Sequence, residues 1–204
     1  MNNPLPPNST ASSLESKLRA AAAWHQKMQL AEAQQAYREV LKAQPQHVDA
    51  LYALGVIAYQ QRDLAAAADW IGRALALNPD WVEAHNNLAV IFTEQKQFES
   101  ARLSYDRAIA LKPDYAEAYC NRAIALRELQ QLDAALQSLE QAIALTPGYA
   151  EAYDYRGDVL SMQGKVDAAA QSYQEVIRLK PDSVSAHNKF GTTLCALGRY
   201  ADAA

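Results

Sequence analysis

Five prolines (Pro45, Pro79, Pro113, Pro147 and Pro181) stand 34 residues apart, and the other three (Pro4, Pro6 and Pro7) crowd the amino terminus. A period of that length marks a repeat array, in which each unit buries its apolar face only against its neighbours and no single central core exists. If each unit ends two residues after its proline, the units are 14–47, 48–81, 82–115, 116–149 and 150–183. A partial sixth then covers 184–204, and residues 1–13 form a polar, proline-rich leader that is expected to be disordered.

The same positions, numbered as slots 1–34, recur in every unit. Slot 8 holds Ala21, Gly55, Ala89, Ala123, Gly157 and Gly191, and slot 20 holds Ala33, Ala67, Ala101, Ala135, Ala169 and Ala203. Large apolar residues fill slot 17 (Leu30, Leu64, Phe98, Leu132, Val166, Tyr200) and slot 24 (Tyr37, Ile71, Tyr105, Leu139, Tyr173). Slots 17, 20, 24, 27 and 28 share one helical face, and slots 4, 8 and 11 share a face of an earlier helix. Each unit therefore predicts two antiparallel helices that cross at the small residues. Proline at slot 32 ends the second helix, since it lacks the ladder donor and its ring clashes with the preceding turn. Sustained heptads are absent, which excludes a coiled coil.

This pattern resembles the tetratricopeptide repeat family, over about residues 14–204. The resemblance implies an all-α protein, a right-handed α-solenoid (superhelix) of helix-turn-helix units of bacterial type. It also implies a concave groove lined by slots 2, 5, 6, 9, 12 and 13, where members of the family hold an extended peptide or a helix of a protein partner. On that basis the candidate groove residues are Tyr52, Val56, Tyr59, Asn86, Asn87, Asn121, Ile124, Arg127, Tyr155 and Lys189. Asn87 and Asn121 share slot 6 of adjacent units and partly resemble the asparagine ladder of O-linked N-acetylglucosamine transferase arrays. An amide can both donate to and accept from a peptide backbone. Tyr52, Val56 and Tyr59 suit an apolar anchor.

Charge narrows the partner. The formal net charge is −4, with no basic run longer than two residues, which argues against nucleic acid. Nine acids and three bases occupy the groove slots. Five of the acids stand at slot 2, in the first helical turn, where they complement the dipole. The rest nearly balance the bases, so a general trap for basic peptides is not expected, nor is a clamp for a terminal carboxylate. No apolar stretch is long enough to span a bilayer, and residues 1–13 lack the charged start and apolar run of a secretory signal. Cys120 and Cys195 have no paired spacing, so no disulfide framework or zinc site is indicated and a cytoplasmic location is expected.

Several expectations are local. Ser12-Ser13-Leu14-Glu15 reads as a capping box at the start of the first helix. Lys17 and Ala20 stand where bulky residues usually sit, as expected of a terminal cap, while Trp24 fills slot 11. Arg122 and Arg156, at slot 7, should pack their stems and reach neighbouring carboxylates. Trp70, at slot 23, is expected to be partly buried, with a secondary contact or a dimer surface as the other reading. His85 and His187 share slot 4 with Tyr119 and Tyr153, which indicates packing roles rather than ligation.

No catalytic motif or phosphate-cradling glycine loop occurs, so no cofactor, metal site or catalytic residue is expected. Ala204 falls partway through a second helix, which suggests that the chain continues in its natural context. Two functional expectations follow. One is an interaction scaffold, which could self-associate through its uncovered last helix. The alternative is the amino-terminal recognition region of a larger glycosyltransferase, sulfotransferase or methyltransferase.

Overall fold

A computed structural model describes residues 9–196 and 198, with side chains from Leu14 onward. The described residues form eleven α-helices and no strand. Two compact units, Met1–Gln95 and Lys96–Ala204, divide the chain inside the expected repeat 82–115. The first contains α1 (Ser9–Gln26), α2 (Leu30–Ala43), α3 (Val48–Gln60), α4 (Leu64–Leu77) and α5 (Val82–Glu94). The second contains α6 (Phe98–Leu111), α7 (Ala116–Glu128), α8 (Leu132–Leu145), α9 (Ala150–Met162), α10 (Val166–Leu179) and α11 (Val184–Ala196).

Within each unit the helices pair as hairpins, and each hairpin's second helix packs on the first helix of the next. The prolines act as expected. Gln44, Asn78, Lys112, Thr146 and Lys180 precede them and follow the last turns of α2, α4, α6, α8 and α10, with φ between −130° and −138°. The pyrrolidine ring that follows forbids these residues the helical region. At the other end of α4, the Asp63 carboxylate accepts from the Ala66 N–H at 3.0 Å and satisfies one orphan donor.

The start of α1 differs from expectation. Residues 9–13 are helical, so Ser12 and Ser13 lie inside the helix rather than at its cap. No proline or glycine separates Ser9 from Leu14, so nothing interrupts the helix between them.

A second feature repeats at slot 15, the turn joining the two helices of a hairpin. Met28, Arg62, Lys96 and Gln130 all adopt positive φ, between 58° and 65°, and Gly164 and Gly198 occupy the same slot at 73° and 71°. Only the glycines take that conformation without a Cβ penalty.

The helix crossings explain the small residues. A Cβ on Gly157 would lie 2.5–2.8 Å from the Tyr173 ring, and one on Gly55 would lie 2.5 Å from Ile71 Cγ1. Gly72, in the middle of α4, faces open space. Gly72→Ala is therefore expected to stabilise the chain by about 0.5–1 kcal/mol through helix propensity alone. Gly157→Ala should give no such gain, because the ring must shift. Urea midpoints of the two variants check this contrast, and equal gains would contradict the crossing geometry.

Two further slots are buried that the helical pattern had not marked. Slot 3 is Ala50, Ala84, Ala118, Ala152 and Ala186, each 0–1% exposed. Slot 10 holds Ile57, Ile91, Ala125 and Val159, likewise 0–1% exposed. These residues give the first helix of each hairpin a second apolar contact surface besides the one facing its partner.

Candidate binding groove

In the 1–95 unit, α3 and α5 present one cleft of about 300 Å³. Val56 and Tyr59 of α3 and Asn87, Val90 and Ile91 of α5 form its walls, with Gln60 at the edge and Ile71 of α4 beneath. Asn87 Nδ2 donates to the Tyr52 hydroxyl at 2.6 Å, which ties the two helices together across the cleft. The Tyr52 ring leans on Trp81, with centroids 4.3 Å apart. Tyr59 donates its hydroxyl hydrogen to the Glu94 carboxylate, which also pairs with Arg62 at 2.9 Å. Burial raises the Tyr52 pKa, helped by the nearby Glu83. The hydrogen bond to Glu94 raises that of Tyr59, with burial second. Both rings therefore stay neutral donors under ordinary conditions.

Of the five candidates in this unit, Tyr52, Val56, Tyr59 and Asn87 come together around the cleft. Asn86 does not: it is 3% exposed, and its Oδ1 is buried without a hydrogen-bond partner. Slots 5 and 6 differ by about 100° of helical rotation. Burial at slot 5 varies with the repeat: Asn86 and Cys120 (1% exposed) are buried, whereas Tyr52 and Asp154 at the same slot are half-buried. Burial pushes the Cys120 thiol up to about 12, with Tyr149 as its hydrogen-bonded neighbour. Trp81 and Gln60 had not been singled out. Trp81 precedes α5 in the sequence and belongs to no amphipathic stripe, so helical periodicity could not flag it.

In the 96–204 unit the remaining candidates are more polar. Asn121 and Ile124 are half-buried on α7, and Tyr155 is half-buried on α9 with its pKa raised by burial. Arg127 donates to Glu128 at 2.7 Å and lies 3.9 Å from Asp158. Lys189 Nζ donates to Asp154 at 2.9 Å and reaches Asp158 at 2.8 Å. Burial disfavours the Lys189 cation, yet the hydrogen bonds it donates to both aspartates outweigh this and hold its pKa above the usual lysine value. The Tyr173 hydroxyl passes under Gly157 to donate to Asp158 at 2.9 Å. Arg127 and Lys189 thus already hold carboxylates of their own chain. A smaller cleft of about 140 Å³, with Asp154, Tyr155 and Lys180 in its lining, lies beside this network.

Of three side chains singled out beyond the groove, Arg122 and Trp70 stand as expected and Arg156 does not. Arg122 reaches a carboxylate, Asp106, at 2.9 Å, but two of its nitrogens donate to Ser138. Arg156 donates to Ser172 at 3.0 Å instead of to an acid. Trp70 is half-buried against the core of its unit, with Arg73 over its ring at 4.3 Å. Among the described residues no cluster of His, Cys, Asp and Glu could hold a metal ion, and no helix is long and apolar enough to cross a membrane.

Family profiles described as tetratricopeptide repeat match residues 28–80, 120–184 and 162–204, and one described as TPR repeat matches 90–126. No curated protein matches the chain by sequence. Among solved structures, a protein named MamA is 23% identical, over 86% of this chain and 96% of that one, with a TM-score of 0.79. YrrB, described as a TPR protein with an unusual peptide-binding site, is 19% identical over 88% of this chain and 96% of that one, at a TM-score of 0.80. A tetratricopeptide repeat protein from Parabacteroides merdae is 20% identical over 94% of this chain and 76% of that one, at 0.83. At these identities the likeness is one of fold.

Proposed function

The chain belongs to the tetratricopeptide repeat family, and from that premise we propose that it is a protein-interaction scaffold whose cleft between α3 and α5 holds an apolar anchor of a partner peptide or helix. The observation that carries this reading is the cleft itself. Its walls are Val56, Tyr59, Asn87, Val90 and Ile91, and its volume of about 300 Å³ has room for one large side chain. The Tyr52–Asn87 bond fixes the amide before any partner arrives, so little side-chain entropy remains to be lost on binding. An asparagine amide has a second N–H and a carbonyl oxygen to offer a peptide backbone. Asn121 offers the same chemistry in the other unit. The peptide-binding site named for YrrB supports the reading by analogy.

Peptides selected from a displayed random library against the full chain provide the test. Their affinity should fall at least about tenfold, or 1.4 kcal/mol, with Val56→Asp. It should also fall with the double variant Asn87→Ala, Asn121→Ala. Selected peptides that bind both variants as tightly as the parent, with the helical circular-dichroism signal intact, would sink the assignment.

A further inference from the structure

Slot 34, the last residue of each unit, stands just before the next hairpin and carries a ring in His47, Trp81, Tyr115 and Tyr149. Each of these is half-buried. Trp81 packs on the Tyr52 ring at slot 5, with centroids 4.3 Å apart. Lys112, at slot 31, holds its ammonium 5.1 Å from the Tyr115 centroid. Tyr149 packs against the core cluster that contains Cys120 and is the hydrogen-bonded neighbour of that thiol, again at slot 5. The fifth unit breaks the series. Its slot 34 is Ser183, whose hydroxyl accepts from the Ala186 N–H at 3.3 Å and caps α11. A cleft of about 140 Å³ opens there, bounded by residues of α9 and α10 and the start of α11. Buried Ala150 and Val176 give it apolar surface, and half-buried Tyr155 adds an aromatic face. Asp154 at slot 5 and Lys180 at slot 31 also line it, in the slots that meet the ring in earlier units.

We propose that this cleft binds a tyrosine side chain of a protein partner, a guest ring in the place that slot 34 fills from within the chain in earlier units. The size fits. A cavity of about 150 Å³ is enough to hold benzene, so the cleft has room for one six-membered ring. The charge fits as well. Lys180 pairs with Glu151, and Lys189 holds Asp154 Oδ2 at 2.9 Å, so the ionised groups beside the cleft cancel in pairs and favour an uncharged guest.

The polar contacts select a phenol among neutral rings. An ionised carboxylate only accepts, and Asp154 Oδ1 can take the hydroxyl hydrogen of a guest phenol, as Cys120 meets the Tyr149 hydroxyl one unit earlier. A phenylalanine ring brings no donor to that oxygen. Lys180 can stand over the guest ring as Lys112 stands over Tyr115, and Tyr155 offers an aromatic face for it to lean on. The choice of a protein as the source of the phenol rests on the scaffold reading. The site itself lies wholly within the 96–204 unit and stands or falls apart from the α3–α5 cleft.

Nuclear magnetic resonance of the full chain, titrated with p-cresol, toluene and N-acetyltyrosinamide, tests this. p-Cresol, the side chain of tyrosine alone, should move the Ala150 and Val176 methyl signals, and N-acetyltyrosinamide should move the same ones. Toluene should bind about tenfold more weakly than p-cresol, for want of the hydroxyl. Ser183→Tyr, which gives the fifth unit a ring of its own, should abolish the p-cresol shifts. Ser183→Ala, which removes the α11 cap without filling the cleft, should keep them. Ala150 and Val176 signals unmoved by p-cresol in the parent, or moved as much in Ser183→Tyr, would overturn the proposal. Toluene binding as tightly as p-cresol would overturn it too, since Asp154 would then select nothing. p-Cresol bound while N-acetyltyrosinamide is excluded would assign the cleft to a free phenol and remove the partner's tyrosine.

Discussion

Opposite changes of volume on one face of α8 are expected to produce the largest losses of stability. Ala135 and Leu139 are both fully buried, and Ala135 meets Ala123 (1% exposed) within the same core cluster at the crossing with α7. Leucine at 135 must push the two backbones apart, at a cost of about 1–3 kcal/mol. Alanine at 139 leaves a void that the neighbouring helices close only in part, and the cost is about 2–5 kcal/mol. Gln137 is exposed on the same helix, so Gln137→Leu should stay within about 0.5 kcal/mol of the parent. Chemical denaturation of the three variants separates the outcomes. A destabilised Gln137→Leu beside an unaffected Ala135→Leu would mean that the face of α8 has been assigned out of register.

Ser138→Val is the second large effect, and a compensating change should relieve it. Ser138 is fully buried and accepts from two nitrogens of Arg122, at 3.0 and 2.8 Å, while donating to the Ala134 carbonyl. The guanidinium lies 5.3 Å from the Tyr119 ring centroid and holds Asp106 with its third nitrogen. Valine removes the acceptor and leaves a charged donor with its partner lost, at about 1–3 kcal/mol. In the second repeat the equivalent pair is Leu54 and Trp70, an apolar solution to the same space. Arg122→Leu combined with Ser138→Val should therefore cost less than the sum of the single changes, by about 1 kcal/mol in a double-mutant cycle. Strict additivity would show that the two side chains act independently.

The helical frame was readable from residues whose spacing has a single physical meaning. Proline every 34 positions can only mark helix ends, and alanine or glycine at two fixed slots can only mark crossings. The groove was less readable because neighbouring slots have different fates. Asn86 and Asn87 look alike in a sequence, yet one is walled in and the other bonds Tyr52 across the cleft. Arg127 and Lys189 stand among the groove candidates in the sequence, but which acids they pair with, Asp154 and Asp158, is set in space. Pairings between side chains 31 or 35 residues apart depend on how successive helices stack, which helical periodicity within one unit does not encode.

The hairpin turns separate two things that selection acts on. Met28, Arg62, Lys96 and Gln130 each hold a backbone conformation that costs an L-residue about 1 kcal/mol, where Gly164 and Gly198 hold it freely. None of the four lines the α3–α5 cleft. Exchange between glycine and other residues at these corners can raise or lower the resilience of the array without altering what the cleft recognises. Thermal adaptation and partner choice can therefore drift along separate axes in a lineage carrying this chain.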